Sequence, residues 1–539
     1  MMAGFGSPEI CWDSGGNAVN LARMIEEHDA HRRALLSGTR TVTYGELRSE
    51  VAAARAHLAR AGLADGDRVA LISGNSVGFV IAYLAVLGRG LIAVPLNPQY
   101  SETELRAQLD AVGARAVIGS AEARPFLESV AVLPTSGLEV IFGLDTAALV
   151  NPPEGDAAEG GNSAGTSMVS AGLLGADSAT SDETAEVSEI VDCHADDIAV
   201  LMFTSGTAGS PKAAMLSHAN LGVNIRQVMS HPGLSFQDDE VVLGVLPVFH
   251  IMGLNSMLGV SMARGVTLAL VRDFDPSAVV GMVAEHGVSV ISGPPTMWAA
   301  LAAVPDVGPD DTATVGVAVS GAAPLPVAVA DSVQRKFGMR LTQGYGLTEA
   351  SPAVTTSAGV DAPVSSIGVP LPGIELRLVD SAGADALVGD EGELWVRGPN
   401  VFQGYWEEED ATIRALPGDG WLRTGDIAVV DDEGFLYLVD RAKDLIIVSG
   451  FNVFPAEVEA VLARHPGVES AAVVGVADSQ TGEAVEAYVV LVTGADLDEE
   501  GIRAWSSEHL ARYKWPRKVT IVSELPRGLG GKLLRRALG

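Results

Sequence analysis

The chain has little that would staple it, anchor it in a bilayer or bind it to a polyanionic polymer. Of its 539 residues only two are cysteine, Cys11 and Cys193. Two thiols cannot form a disulfide framework, and nothing near them has metal-ligand spacing, so free thiols in a reducing, cytoplasmic setting are expected. Basic residues are scarce: 35 lysines and arginines stand against 68 aspartates and glutamates, a formal net charge of −33. A nucleic-acid binder carries a basic footprint, and this balance excludes that class. The same acidity repels anionic lipid and leaves only a local basic patch for peripheral membrane contact. No long apolar run is unbroken. The most apolar stretch, 79–96, is interrupted by Gly88, Arg89 and Gly90 and reaches Pro95 before its end. A membrane span needs ~20 consecutive apolar residues, so this stretch reads as a buried helix (79–87) followed by a buried strand (91–94). The first residues lack a basic region leading into an apolar core, so no signal peptide is expected.

What is present is a long alternation of short apolar strands and helical segments. Strands are expected at 69–73, 91–94 and 116–119, with a helix at 102–112. The pattern resumes with strands at 241–246, 266–271 and 288–291 and helices near 255–263 and at 276–286. Buried β-branched runs joined by helices imply parallel sheets with crossover helices, an α/β class. Residues 151–189 break the alternation: they are rich in glycine, serine, alanine and acid, with no lysine or arginine between Arg124 and Lys212. That composition predicts a mobile acidic insertion. From 375 onward short strands dominate (375–379, 393–396, 427–430, 435–439), which suggests a β-rich subdomain. After Asp440 a separate α+β unit of about 100 residues, an ordinary domain size, is expected.

The most informative segment is 201–221. An apolar strand (198–203) runs into Thr204-Ser205-Gly206-Thr207-Ala208-Gly209-Ser210-Pro211-Lys212. Hydroxyls, glycines that turn backbone N–H groups inward, and one ammonium make a cradle for phosphate. A Walker A loop is excluded, because Pro211 precedes the lysine and Ala213 stands where the Mg-binding hydroxyl belongs.

This loop resembles the nucleotide signature of the adenylate-forming superfamily, which includes the acyl-CoA synthetases and fatty-acid–CoA ligases. Further family motifs follow in order: Gly344-Tyr345-Gly346-Leu347-Thr348-Glu349, Gly420-Trp421-Leu422-Arg423-Thr424-Gly425-Asp426, Asp440-Arg441-Ala442-Lys443-Asp444, and Pro526-Arg527 with Gly531-Lys532. Ala208, Ala213 and Gly528 depart from the usual pattern, and none of them removes a charged group.

The resemblance implies a large N-terminal AMP-binding domain (1–440) of parallel sheets with flanking helices, and a small mobile C-terminal domain (441–539). It implies ATP as substrate, Mg2+ as its counterion and coenzyme A as acyl acceptor, with an acyl carrier protein as the alternative acceptor. The cradle residues Thr204, Ser205, Gly206, Thr207, Gly209 and Lys212 would hold the β- and γ-phosphates. Glu349 and Thr348, with Thr207, would position the metal. Tyr345, between Gly344 and Gly346, would face adenine across from Gly321, Ala322 and Ala323. Asp426 and Arg441 would bind ribose. His250 would line the acyl pocket, Lys532 would carry adenylation, Lys443 would be the hinge, and Gly450-Phe451 would reach the site for the thioester step. The reaction implied is activation of a carboxylic acid, a medium- or long-chain fatty acid first, through an acyl adenylate. An aryl-acid ligase and a non-catalytic nucleotide-binding regulator are the other readings, and the second conflicts with the presence of Lys532, Glu349 and Asp426.

Overall fold

The computed structural model describes residues 19–132, 138, 140–143, 189–204, 211–234, 239–323, 325–380, 382–441, 446–453, 455–526 and 538. The acidic insertion lies outside the described residues except for Glu189, and so does Cys11. The architecture is mixed α/β. Two large, mainly parallel sheets form the N-terminal part.

The six-stranded sheet runs in the order Val140–Gly143, Ala116–Gly119, Arg68–Ile72, Ile92–Leu96, Ile198–Thr204, Lys212–Ser217. All its neighbours are parallel except the last pair. The nine-stranded sheet has a parallel centre, in which Thr267–Leu270 lies between Val241–Gly244 and Arg33–Ser37. Every residue of Ile92–Leu96 and of Val241–Gly244 is buried, as expected for strands covered on both faces.

The 79–96 stretch resolves as expected from its interruptions. Ser76 caps a helix, Val77–Gly88, by accepting from the Phe79 amide at 3.1 Å. Eleven of the twelve helical residues are buried, so the helix is apolar all round because it sits in the core, packed against the Tyr44–Arg60 helix. Among the described residues no helix is long and apolar enough to cross a membrane.

One helix differs from the sequence reading. The segment expected near 255–263 begins earlier, as a π-helical stretch Met252–Gly259 that passes into an α-helix, Val260–Arg264. Its start is set by Gly253, where a Cβ would collide with the Pro247 carbonyl. That close approach turns the backbone at His250, which lies between Pro247 and Gly253.

The β-rich region is a four-stranded antiparallel sheet: Glu375–Val379, Gly392–Arg397, Trp421–Val430, Leu436–Arg441. Its third strand is longer than the 427–430 expected, because a register shift between Glu393 and Trp395 lets it continue through Gly425 (φ +74°). The smaller C-terminal part is a five-stranded sheet (Ile446–Val448, Phe451–Val453, Val468–Asp478, Gly482–Leu491, Lys518–Ile521) with helices Pro455–Ala463 and Glu499–His509. It encloses its own apolar core around Val453, Val458, Val473 and Ile502.

Candidate active site

A cavity of about 620 Å3 opens where the sheets and the C-terminal unit converge. Thr204 ends one strand and Lys212 begins the next, and the two are direct antiparallel register partners. The two residues that flank 205–210 therefore stand side by side, and both line the cavity. Ser205, Gly206, Thr207 and Gly209 lie outside the described residues.

Glu349 sits in a short 3-10 turn, Thr348–Ala350, just beyond the Thr342–Gly346 strand. Gly346 makes that approach feasible, since a Cβ there would meet the Pro352 carbonyl. Glu349 is half-buried, and the loss of hydration raises its carboxyl above the ordinary value; nearby Asp426 adds to this, while Tyr405 and Lys212 oppose it. The Tyr405 hydroxyl donates to Glu349 Oε1 at 2.7 Å, and the Lys212 ammonium lies 5.3 Å from the centroid of the Tyr405 ring. One tyrosine thus joins the lysine of the cradle to the carboxylate of the second motif. Burial, followed by the Glu349 charge, drives the Tyr405 phenol far above its ordinary pKa and keeps it a donor.

Tyr345 and Asp426 also meet. The buried Tyr345 hydroxyl donates to Asp426 Oδ2 at 2.7 Å. Asp426 is held in turn by its own amide, which donates to Thr424 Oγ1 at 3.0 Å. Arg441 is the backbone register partner of Asp426. Gly321, Ala322, Gly344, Gly346 and Thr348 line the cavity as well, whereas Ala323 is not among its lining residues. Ala322 holds φ +66°, a left-handed turn that brings its backbone to the wall.

His250 lines the same cavity. Its Nδ1 accepts from the Met252 amide at 3.3 Å, which leaves the proton on Nε2. Burial lowers the imidazole from 6.5 to about 4, so His250 is a neutral N–H donor at physiological pH. The rate of AMP release should consequently show no inflexion traceable to this residue between about pH 5.5 and about pH 8. A pH–rate profile of His250→Gln that loses a step present in the parent would contradict that state.

Phe451 also reaches the cavity, and its neighbour Gly450 (φ +83°) comes against Pro294, whose Cγ would lie 3.1 Å from an added Cβ. Lys443 and Lys532 lie outside the described residues. Two residues at the cavity had no signal in the sequence. Tyr405 looks like any core aromatic until its segment bridges to Ala214 and sets its ring beside Lys212. Lys514 reads as one member of a solvated basic tail, yet it is only 4% exposed. Its ammonium donates to Glu457 Oε1 at 2.6 Å and to Glu104 Oε1 at 3.1 Å, anionic partners that no local pattern announces.

Comparison with known proteins agrees with this arrangement. Residues 22–406 match the family described as AMP-binding enzyme, and residues 457–532 match the AMP-binding enzyme C-terminal domain. The chain is 35% identical over 524 residues to a feruloyl-CoA synthase from Amycolatopsis sp, covering 97% of each. It is 33% identical to a long-chain-fatty-acid–CoA ligase of Bacillus subtilis (strain 168), covering 92% of this chain and 89% of that one. A solved structure of o-succinylbenzoate CoA synthetase from Bacillus subtilis, a double mutant bound with its product analogue, superposes with a TM-score of 0.80 at 28% identity, covering 97% of this chain and 98% of that one. The chain belongs to the AMP-binding enzyme family, in the acyl-CoA synthetase branch of the adenylate-forming superfamily, and is an AMP-forming acid–thiol ligase.

Proposed function

We propose that the protein activates an apolar carboxylic acid, a medium- or long-chain fatty acid first, as its adenylate and passes the acyl group to coenzyme A. The observation that carries the substrate class is the buried wall of the cavity. Val228, Leu234, Met257, Val260 and Val290 line it with apolar side chains, which would leave a charged or strongly polar tail unsolvated. The likeness to a feruloyl-CoA synthase supports an aryl acid as the second reading.

In the first half-reaction a carboxylate oxygen attacks the α-phosphorus of ATP, the bond to the bridging oxygen breaks, and pyrophosphate leaves. The loop flanked by Thr204 and Lys212, with Ser205, Gly206, Thr207 and Gly209, would hold the outer phosphates. The half-buried Glu349 carboxylate, already short of water, fits a hard cation that takes its other ligands from phosphate and solvent. Mg2+ held there with Thr207 and Thr348 would spread the charge of the departing pyrophosphate. Tyr345 would stack on adenine, while Asp426 and Arg441 would bind ribose. Lys532 would enter from the C-terminal domain to orient the carboxylate and stabilise charge at the α-phosphate.

In the second half-reaction the CoA sulfur attacks the acyl carbonyl and AMP leaves, with loss of the thiol proton. The C-terminal domain (441–539) would rotate about Lys443 relative to residues 1–440, withdrawing Lys532 and presenting Gly450-Phe451. His250, as a neutral donor, would face the acyl carbonyl. A cytoplasmic location suits an enzyme that draws on ATP and CoA.

A panel of carboxylic acids with ATP and Mg2+, assayed with and without CoA, tests the reading. AMP and pyrophosphate should appear, with the highest rates for acids with apolar tails. Release of ADP and phosphate would end the adenylation mechanism, and a preference for short, charged acids would end the substrate assignment.

A further inference from the structure

The C-terminal unit touches the large domain through a buried cluster of charge that the mechanism above does not use. Lys514 belongs to the turn Arg512–Lys514, and its two carboxylate partners come from opposite sides of the boundary. Glu457 is on the Pro455–Ala463 helix of its own unit. Glu104 is on the Glu102–Val112 helix of the large domain, 410 residues away in sequence. The Lys514 ammonium also stands 4.7 Å from the centroid of the Tyr100 ring and 5.7 Å from that of Tyr513. The Tyr513 ring in turn stacks on Phe451, with centroids 4.6 Å apart and planes 24° apart. A continuous line of contact therefore runs from Glu104 through Lys514 and Tyr513 to the Phe451 loop at the cavity.

Glu104 is not a free surface acid that swung toward a cation. Its other oxygen, Oε2, accepts from the Ser101 amide and hydroxyl, each at 2.9 Å, and so completes the capping box of its helix. The cap holds Oε1 in place as a preformed acceptor.

The energetics suit a joint that opens and closes. A buried ion pair gives little net stability, because desolvation offsets the Coulomb attraction. When the units part, Glu104 regains water and Lys514 keeps Glu457. Neither side is left with a stranded charge, so the cost of opening stays small.

We propose that Lys514, bridging Glu104 and Glu457, is a positioning residue that fastens the C-terminal unit in the orientation that presents Phe451 to the cavity, and so serves the thioester-forming half-reaction alone. The proposal rests on the two-orientation reading above. Glu104→Gln separates the electrostatic role from the structural one, since glutamine at this helix position still closes a capping box.

Three measurements decide it. Pyrophosphate exchange by Glu104→Gln should stay within about twofold of the parent, while thioester formation from a supplied acyl adenylate should fall about tenfold or more. Lys514→Met should show the same split, and Lys514→Arg, which keeps the charge, should recover most of the thioester rate. Amide hydrogen exchange should rise in 446–453 and 511–515 of Glu104→Gln, a readout that needs no turnover. Parent-like rates and exchange in Glu104→Gln would overturn the proposal, as would an equal loss in both half-reactions. If the parent forms no thioester with any acid, the functional reading fails. The exchange data would then still decide whether Glu104 fastens the unit.

Discussion

Replacing Lys532 with alanine will lower adenylation by orders of magnitude and leave the conversion of a supplied acyl adenylate to its thioester close to the parent rate. The reason is chemical. Attack on the α-phosphorus brings two anions together, and an ammonium between them stabilises charge that exists only in that transition state. Loss of one such interaction typically costs about 10²–10³ in rate. In the second half-reaction the phosphate is already the leaving group of a mixed anhydride and the nucleophile is a sulfur, so an ammonium on the entering carboxylate has nothing left to do. Pyrophosphate exchange and single-turnover thioester formation, measured on the same preparation, give the two rates. Equal loss in both would remove Lys532 from its assigned step.

The second large effect belongs to Glu349. Glu349→Gln retains the size of the side chain and an oxygen for the Tyr405 hydroxyl, which donates to Oε1 at 2.7 Å in the parent. It removes the negative charge that would hold Mg2+ against the phosphates. Adenylation should fall by about 10²-fold or more, and the Mg2+ concentration giving half-maximal rate should rise. The fold should survive, because half-burial has already made the charged form unfavourable and a neutral amide relieves that. Thermal unfolding should confirm this, with a melting temperature at or above that of the parent. A variant that unfolds early, or one whose Mg2+ dependence is unchanged, would assign Glu349 a structural role instead.

Much of the fold was legible because its elements carry local punctuation. The helix expected at 102–112 forms as Glu102–Val112, and the structure shows what ends it: Ser101 caps its start and Gly113 in the left-handed region closes it. The helix expected at 276–286 likewise forms as Pro276–His286, between the Asp275 cap and Gly287. The parallel core strands followed from their short, continuous apolar runs alternating with helical segments. The Lys212–Ser217 strand was not read, since a lysine and two alanines after a glycine-rich loop carry little β propensity. Pairing with Ile198–Thr204 makes it a strand. The same division holds in the site. Glu349, Asp426 and Tyr345 stand inside ordered motifs and could be named in advance. Tyr405 and Lys514 could not, because their partners lie 56 and 410 residues away, at Glu349 and Glu104. A contact of that kind has no sequence period and exists only once the sheets have closed.

The helix Val77–Gly88 has a consequence for how the chain must be made. It emerges early in synthesis with an apolar surface on every side, and the residues that cover it belong to one cluster reaching from Leu21 to Leu268 and beyond. The strand Arg33–Ser37 is in the same position, since its parallel neighbour Thr267–Leu270 lies more than half the N-terminal part further along. For the time a ribosome needs to add some two hundred residues, at about 5–20 residues per second, this helix is covered only by the Tyr44–Arg60 helix and the segments nearest it in the chain, and the rest of its apolar surface waits for the later part of the cluster. The nascent chain therefore depends on being shielded during that interval. Fragments ending before the second sheet would carry the exposed helix with them and would be expected to aggregate rather than fold.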